Sequence, residues 1–395
     1  MLFSGSLGAF RDRLANRKQH YRLVLSLINK FSKEKKMEKI KICCTGFSRR
    51  GKDLAKCAHA DSDFEITAVC DLDEIRKKEA AGMLGEKVHF YTDYNEMLKK
   101  EKPDAVTIAT PQYNHRDLAI RAFENKIHVY CEKPLAMNLA QCDEMISASE
   151  KAGCVFIVGQ QMRYHFHLHK AWNIIAGGEI GKPAMIWLKE FRGPFRVSPE
   201  HMWIFDQEKS GGMLVEKSCH HFDLFNWFAG SRPVSVYASA GLDGLDNVKN
   251  FKCTINDNAW VIVNYENGAR AMLGLCMFLG KPDRAEGTIG FHRREIGVAG
   301  EKGILHTEGY LPAGNIEIHY ADSHNLIRYE LKKEGTIPNK FNQEGNKGIF
   351  MDFAECIREK KKPFASGEIG RMALAVSLAA EKSCAEKRIV QIDEL

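Results

Sequence analysis

The segment EKSCHHFDLF, residues 216–225, brings two carboxylates, one ammonium and two imidazoles into eight positions. Glu216 and His220 are four residues apart, a spacing that places both side chains on one face of a helix. Because an imidazole titrates near neutral pH and can take a proton from a hydroxyl group, the pair suits acid–base chemistry. We expect Asp223 to accept the hydrogen of the second ring nitrogen of His220. His221 points about a quarter turn away and is expected to be a hydrogen-bonded core or interface residue.

Two groups of histidines raise the question of a metal site. Glu216, His220 and His221 are possible zinc ligands, but adjacent histidines diverge on a helix and the sequence has no HExxH pattern. The segment RYHFHLHK, residues 163–170, spaces three histidines as a strand would, yet the pattern there indicates a helix running to Ala176. We interpret most of these histidines as ordinary polar positions, and we predict no metal ion.

The chain from residue 40 to residue 160 alternates short β-branched runs with helical stretches, which is the pattern of parallel βαβ units. The predicted strands are residues 40–45, 64–70, 88–92, 104–110, 127–131 and 154–159. The predicted helices lie near residues 51–60, 73–84, 93–101, 115–125 and 138–152. Six strands so arranged predict a doubly wound, dinucleotide-binding Rossmann sheet, in which ligands bind at the carboxyl ends of the strands.

After residue 160, longer alternating strands indicate a second, largely antiparallel sheet. A hairpin is predicted within residues 260–275, where Asn267 and Gly268 supply the positive φ angles of a tight turn. The other predicted strands are residues 184–191, 234–241, 294–300, 303–309 and 315–321. Helices near residues 347–360 and 368–383 are expected to fold back against the first domain. The predicted class is α/β, with a Rossmann domain over residues 37–160 and an α+β domain over residues 161–395.

Residues 1–36 differ in charge from the rest of the chain. They contain nine of the 57 Lys/Arg residues and two of the 51 Asp/Glu residues, which leaves 48 basic against 49 acidic residues in the remainder. The segment fits a basic amphipathic helix that anchors at a membrane surface or directs transport to an organelle. We favour a third interpretation, in which translation starts at Met37, directly before the first strand.

Composition excludes several classes of partner for the body of the chain. A nearly neutral charge balance is not typical of a nucleic-acid-binding surface, and no apolar run approaches the length of a membrane span. The twelve cysteines are scattered without paired C-x-x-C spacing, which argues against disulfides and for a reducing cytoplasm. We expect a cytoplasmic protein that binds a small molecule.

The segment TGFSRRGKDLA joins the first predicted strand to the first predicted helix and resembles a dinucleotide fingerprint. Gly46 permits the tight turn and Gly51 lets the helix pack closely, while the helix N-terminus faces the pyrophosphate. Ser48 departs from the fingerprint and adds a hydroxyl that can donate to phosphate. We include Arg49 in the same cofactor-binding set.

Asp71 ends the second predicted strand, twenty residues beyond Gly51, where a carboxylate can accept both hydroxyls of the adenosine ribose. An acid at this position would repel a 2′-phosphate, so we predict NAD rather than NADP. Arg76 and Lys77 lie close by and leave NADP open. The structural alternative is that Asp71 is the N-cap of the next helix.

The fourth and fifth predicted strands end in ATPQYNH and YCEKPLA, at the rim where a ligand binds. The cofactor-binding residues predicted at this rim and just beyond the sixth strand are Thr110, Pro111, His115, Glu132, Lys133 and Gln161. Arg163 and Tyr164 follow the sixth strand and are predicted to meet a polyhydroxylated substrate. Trp203 and Phe205 precede an SGG turn, and each either stacks on a sugar or belongs to the core.

These residues identify a family resemblance that covers residues 38–395. The phrases CDLD, YTDYNEML, DAVTIATP, HVYCEKPLA and VGQQMRY resemble the glucose-fructose oxidoreductase, inositol dehydrogenase and rhizopine-catabolism (Gfo/Idh/MocA) family, and EKP between a strand and a helix is the most specific of them. The resemblance implies a nicotinamide-dependent oxidoreductase that acts on sugars, cyclitols or related alcohols. It places Lys133 at the reaction centre, and in SGGMLVEKSCHH it places Glu216 and His220 at the family's acid and histidine positions.

The resemblance also suggests roles for these three residues. Lys133, beside a cationic nicotinamide, is expected to have a depressed pKa and to relay the hydroxyl proton, and His220 is expected to be the general base or its closest partner. Glu216 is longer than the aspartate more usual in the family, so it either contacts substrate or orients Lys133 and His220. The resemblance further implies a homodimer or homotetramer formed through the second sheet.

Two rival functions stay open. Some relatives in the family retain NAD and couple oxidation, elimination and re-reduction into a glycosidase without net redox change. Others bind a dinucleotide without catalysis and act as regulatory proteins. The complete set of Lys133, Glu216 and His220 favours the dehydrogenase, because a sensor needs no proton relay.

Overall fold

The structure is a computed structural model that describes residues 38–195, 199–245, 252–280, 292–308, 315–323, 325–329, 340–341 and 345–395. The predictions for residues 1–36 lie outside this part of the chain. Within the described residues, no helix combines the length and the apolar character required to cross a membrane.

A parallel six-stranded sheet forms the first half of the structure. Its strands are β1 (Ile40–Thr45), β2 (Phe64–Cys70), β3 (His89–Tyr91), β4 (Ala105–Ile108), β5 (His128–Cys131) and β6 (Phe156–Val158). The helices are α1 (Arg49–Ala60), α2 (Ile75–Leu84), α3 (Tyr94–Glu101), α4 (His115–Glu124) and α5 (Leu139–Ala152). The strand order β3-β2-β1-β4-β5-β6 is that of the doubly wound dinucleotide-binding fold. The prediction of a Rossmann sheet is confirmed.

A mixed nine-stranded sheet dominates the second half. Its strands are β7 (Pro183–Arg192), β8 (Pro233–Gly241), β9 (Asn258–Tyr265), β10 (Arg270–Cys276), β11 (His292–Gly300), β12 (Gly303–Glu308), β13 (Ile316–Tyr320), β14 (Leu326–Tyr329) and β15 (Val390–Gln391). Their order is β14-β13-β12-β11-β7-β10-β9-β8-β15, and all neighbours are antiparallel except β7 and β10. The predicted hairpin joins β9 to β10, with Gly268 at φ +85°. Short β14 and β15 were not predicted, because a four-residue strand with no buried position and a two-residue pairing carry little periodicity.

The remaining helices are α6 (Phe166–Ala176), α7 (Gln207–Ser210), α8 (Met213–Glu216), α9 (Cys219–Ala229), α10 (Gly345–Glu359) and α11 (Gly367–Glu386). Of these, α9 and α11 pack against the second sheet, whereas α10 packs against the first half. Short 3₁₀ helices span Gln112–Asn114, Gln161–Tyr164, Pro199–Phe205 and Ile392–Glu394.

The last two long helices complete the packing of both halves. On α10, Phe350 and Phe353 contact Phe64 of β2, with ring centroids 5.5 and 6.2 Å apart. On α11, Leu374 belongs to a core of the first half, whereas Ala379 belongs to the core of the second. The two sheets are therefore held in one body by shared apolar cores, which fixes the cleft between them.

The turn between β1 and α1 requires glycine at two positions. Gly46 has φ +80°, and a Cβ there would lie 2.8 Å from the backbone of Ala109. A Cβ on Gly51 would lie less than 3 Å from the carbonyl oxygen of Gly46, so the helix can start this close to the strand only without a side chain. The turn therefore brings bare backbone to the end of β1, as a bound pyrophosphate requires.

Replacing Gly51 with alanine tests this close approach. We expect Gly51→Ala to lower the melting temperature and to abolish NAD binding, measured by differential scanning fluorimetry and by titration calorimetry. The matched control is Gly82→Ala on α2, because nothing lies within 4 Å of a Cβ at that position. Alanine favours a helix by up to about 1 kcal/mol over glycine, so the control should be neutral or stabilising. Equal melting temperatures and equal NAD binding in the two variants would contradict a steric requirement for glycine at position 51.

Candidate active site

A cleft of about 380 Å³ lies between the two sheets. Of the predicted site residues, those that line it are Ser48, Arg49, Thr110, Pro111, Glu132, Lys133, Gln161, Glu216 and His220. Trp203 also lines the cleft, whereas Phe205 is buried in the core of the second half. The cleft therefore joins the carboxyl ends of the parallel strands to α8 and α9.

Lys133 and Glu216 form an ion pair across this cleft. Lys133 follows β5 and precedes Pro134 through a cis peptide bond. Its Nζ donates to Glu216 Oε2 at 2.7 Å and to the Glu216 carbonyl oxygen at 2.8 Å. The side chains of Lys133 and Glu216 are 16% and 11% exposed, so the pair lies in a poorly hydrated environment. A buried pair of this kind depends on both partners, because either one alone would be an uncompensated charge.

The pKa of Lys133 is raised in this ion pair. Burial is the largest effect and acts to lower this pKa, but the Glu216 carboxylate, together with Cys219 and Glu132, raises it overall. Burial also raises the pKa of Glu216, against the opposing effect of Lys133. Lys133 is therefore an ammonium group that donates hydrogen bonds to Glu216. The predicted depressed pKa concerns Lys133 beside a bound nicotinamide and stays a prediction.

His220 lines the cleft as a neutral imidazole. Burial lowers its pKa well below the ordinary value of 6.5, and the positive charges of Lys133 and Lys217 lower it further. Its Nδ1 lies 2.9 Å from Gln160 Oε1, an oxygen that can only accept a hydrogen bond. Nδ1 therefore carries the ring hydrogen, and Nε2 is the nitrogen that can take up a proton.

Asp223 does not contact His220, and that prediction is wrong. Arg163 donates to both oxygens of Asp223 at 2.8–3.0 Å, and both side chains are buried. The guanidinium carbon of Arg163 also lies 5.1 Å from the Trp227 ring centroid. The missed interaction is long-range, since Arg163 and Asp223 are 60 residues apart and no local spacing relates them.

Arg163 and Tyr164 do not line the cleft, which corrects their assignment as substrate-binding residues. Tyr164 is fully buried, and its hydroxyl donates to Asp352 Oδ2 at 2.6 Å. Arg163 is neutralised by Asp223, as described above. Arg163 therefore connects the 3₁₀ helix after β6 to α9, and Tyr164 connects it to α10.

His115 is likewise a structural residue rather than a cofactor ligand. It is 1% exposed, its Nε2 lies 2.9 Å from the Thr110 carbonyl oxygen, and its Nδ1 lies 3.0 Å from the Pro134 carbonyl oxygen. Burial lowers the pKa of His115. The His115 ring therefore connects the loop after β4 to the backbone of the EKP turn. Through these backbone contacts it helps to position Thr110 and Lys133.

Asp71 contacts the glycine turn. Its Oδ2 accepts a hydrogen bond from the backbone N–H of Phe47 at 2.5 Å, and its Oδ1 accepts one from Asp73 at 3.0 Å. The N-cap of α2 is Glu74, so the alternative that Asp71 caps this helix is wrong. A carboxylate at the end of β2, beside a glycine turn with no room for side chains, fits the adenosine end of a dinucleotide.

Arg50 is a cleft residue that the sequence analysis missed. It donates to Glu132 Oε1 at 2.8 Å, to Gln161 Oε1 at 2.6 Å and to Asn346 Oδ1 at 2.9 Å. These partners come from the turn after β5, the segment after β6, and α10. Arg49 and Arg50 are adjacent at the start of α1, and sequence alone gives no signal for which of them reaches across the sheet.

His221 is a hydrogen-bonded core residue, as predicted. It is fully buried, and its Nε2 lies 2.8 Å from Glu190 Oε2. Glu190 also contacts Lys217 Nζ at 2.8 Å and Arg294 at 2.7 Å, and these positive charges outweigh burial to hold its pKa well below the ordinary range. Lys217 therefore points away from Glu216. Among the described residues, no group of three or more metal-ligating side chains could hold a metal ion.

The segment carrying Glu216 and His220 is not one continuous helix. Helix α8 ends at Glu216, Lys217 and Ser218 form a turn, and α9 begins at Cys219. The spacing of four therefore spans a helix break, although both side chains still reach the cleft. Sequence periodicity missed this break because apolar residues continue on both sides of it.

Both halves of the chain match models of one family. The oxidoreductase family model with an NAD-binding Rossmann fold matches residues 39–160, and the model of that family's C-terminal α/β domain matches residues 173–392.

Curated relatives and solved structures agree with this match. The chain is 27% identical to the myo-inositol 2-dehydrogenase of Thermotoga maritima over 361 residues, which is 90% of this chain and 99% of that protein. It is 26% identical to the 2,7-anhydro-N-acetylneuraminate hydratase of Mediterraneibacter gnavus, covering 77% of this chain and 84% of that protein. The fold is similar to that of the WlbA dehydrogenase of Bordetella pertussis in complex with NADH and UDP-GlcNAcA, with a TM-score of 0.73, 22% identity and coverage of 90% and 98%. The chain therefore belongs to the Gfo/Idh/MocA family of NAD-binding oxidoreductases.

Proposed function

We propose that this protein is a dehydrogenase that oxidises a secondary hydroxyl group of a sugar, glycoside or cyclitol with NAD. The observation that carries the proposal is the juxtaposition of a buried Lys133–Glu216 ion pair and a neutral His220 in the cleft. Such a set can hold an alcohol oxygen and remove its proton, and the glycine turn lies in the same cleft.

The residues of the first half fit the cofactor. Gly46 and Gly51 leave room for a pyrophosphate at the start of α1, Asp71 stands at the ribose position, and Thr110 and Pro111 line the path toward Lys133. When bound, NAD supplies a nicotinamide ring that accepts a hydride from the substrate carbon.

The residues of the second half handle the proton. His220 Nε2 accepts the hydroxyl proton, because Gln160 keeps the hydrogen on Nδ1 and the low pKa keeps the ring neutral. The Lys133 ammonium donates a hydrogen bond to the alcohol oxygen and stabilises its developing negative charge. Glu216 keeps this ammonium protonated and fixes its position through two hydrogen bonds.

The substrate class rests on the relatives and on the lining of the cleft. The relative with the most extensive match named above is a myo-inositol dehydrogenase, which supports a cyclitol or sugar. Trp203 adds an aromatic face among polar groups, the combination that binds a ring with both hydroxyls and C–H groups.

An assay of cofactor reduction tests the proposal. Purified protein is given NAD and a panel of pyranosides and cyclitols, and reduced cofactor is followed by absorbance. We expect one class to be oxidised and Lys133→Met to lower kcat by about 10²–10³-fold, because the alcohol oxygen loses its hydrogen-bond donor. Lys209→Met is the control, since Lys209 is exposed and pairs only with its neighbour Asp206 in the described structure.

The same experiment separates the rival functions. If a glycoside is cleaved and no reduced cofactor accumulates, the protein is an NAD-retaining glycosidase rather than a dehydrogenase. Tight NAD binding with no turnover of any substrate, and with no effect of Lys133→Met, would point to a regulatory binding protein.

The protonation of His220 provides a second test. Because its pKa is lowered, we expect its ring to stay neutral between about pH 6 and pH 8, where an ordinary histidine titrates. The measurement is NMR of ¹³Cε1-labelled histidine, with the His220 signal assigned by its loss in His220→Asn. Lys217→Met should move the pKa upward, because it removes a nearby positive charge, whereas Lys209→Met should not. A wild-type signal that titrates near 6.5 would refute the assigned role.

We further propose that the protein forms a homodimer or homotetramer through the face of the second sheet opposite its helices. Met185, Tyr237, Trp260, Ile262 and Ile304 are 42–60% exposed on this sheet. A contiguous apolar surface of this kind is typical of a protein–protein interface.

Light scattering in solution tests the interface. We expect the wild type to be oligomeric and Trp260→Lys to shift it toward the monomer, because a charge would be buried in the contact. Leu72→Lys is the matched control, since Leu72 is equally apolar and 87% exposed but belongs to the first half. A monomeric wild type, or equal effects of both variants, would contradict the proposal.

A further inference from the structure

The short helix that carries Glu216 depends on a residue from the far end of the chain. Helix α8 has only four residues, and its N-cap, Gly212, has no side chain to accept its free N–H groups. Glu381 of α11 fills this role, because its Oε1 accepts a hydrogen bond from the backbone N–H of Leu214 at 2.8 Å. The cap is thus supplied 167 residues away from the helix it caps.

The SGG turn provides the space for this carboxyl group. Gly212 has φ +103°, and a Cβ there would lie less than 3 Å from both Glu381 Oε1 and Gln207 Nε2. Gln207 also donates to Glu381 and to the Gly211 carbonyl oxygen. Gly212 is therefore required for more than the turn itself, since the absence of a side chain there lets the partly buried Glu381 carboxyl group reach the start of α8.

From this geometry we infer that Glu381 is a positioning residue for the active site: it caps α8 and thereby holds Glu216 against Lys133. The inference rests on the proposed function of the Lys133–Glu216 pair. A four-residue helix has too few internal hydrogen bonds to keep its own geometry, so its position is set by what packs and bonds at its ends. Both hydrogen bonds from Lys133 go to Glu216, the last residue of that helix.

The environment of Glu381 agrees with a dedicated role. Burial raises its pKa to about 7, against the opposing effects of the hydrogen bonds from Leu214 and Gln207. Across from it, α7 and α8 present the Gln207 amide and the Leu214 N–H, neither of which titrates, and Cys384 is its ionisable neighbour on α11. A carboxyl group with a raised pKa costs stability when it ionises, which is a reason to expect a function that offsets the cost.

Two variants of matched volume test the inference. Glu381→Leu removes the acceptor, whereas Glu381→Gln keeps an acceptor oxygen and cannot ionise. We expect Glu381→Leu to speed hydrogen exchange of amides in residues 213–218 and to lower kcat about tenfold, with KM and NAD affinity nearly unchanged. Glu381→Gln should restore both readouts. Glu386→Ala is the control, since Glu386 is exposed on the same helix and pairs with Arg388.

Thermal unfolding at several pH values checks the ionisation. The folded wild type binds a proton at Glu381 more tightly than the unfolded chain does, so the stability that this proton contributes is lost as pH rises from about 4.5 to about 7. The melting temperature of Glu381→Gln should therefore rise relative to that of the wild type as the pH increases over this range.

Three outcomes would overturn the inference. Unchanged exchange of residues 213–218 in Glu381→Leu would show that the cap does not hold α8. A Glu381→Gln variant as impaired as Glu381→Leu would show that the acceptor is not what matters. If Glu381→Leu lowers the melting temperature and leaves kcat unchanged, Glu381 contributes to stability and does not position the active site. The exchange readout needs no substrate, so it decides the inference even if the proposed dehydrogenase activity fails.

Discussion

The rest of the site depends on one ion pair formed between two sheets. Lys133 is fixed by the turn after β5, and Glu216 is fixed by a helix of the second half, so their 2.7 Å contact exists only when both halves are in register. Each charge is largely removed from water, and each would be costly without the other. The charge in the cleft therefore depends on how the two halves of the chain pack together.

This charge also determines the state of His220. Burial removes the water that would screen an imidazolium at His220, and its protonation would place another positive charge beside Lys133 and Lys217. The His220 ring therefore stays neutral, and the hydrogen bond to Gln160 determines which ring nitrogen carries the hydrogen.

Much of the fold could be predicted from the sequence, because its elements are long or strongly periodic. Strands β1 and β2 agree residue for residue with the prediction, and the Asn267–Gly268 turn identified the hairpin. Lys133, Glu216 and His220 were found through motifs that end at strand and helix termini. The errors have a common cause. Arg163 pairs with Asp223 over 60 residues, Tyr164 pairs with Asp352 over 188 residues, and one of the partners of His115 lies 19 residues away. Neither spacing nor resemblance indicates which polar side chain pairs inward. Arg50 and Glu381 were missed for the same reason.

The packing of α10 has a consequence for how the chain is made. Phe350 and Phe353 complete the apolar core around Phe64, in the half of the molecule that leaves the ribosome first. Nearly three hundred residues of chain must be synthesised between that strand and its partners. Until α10 has been synthesised, the N-terminal sheet has one side of its core uncovered, and a nascent chain released before that point exposes this apolar surface to chaperones and proteases.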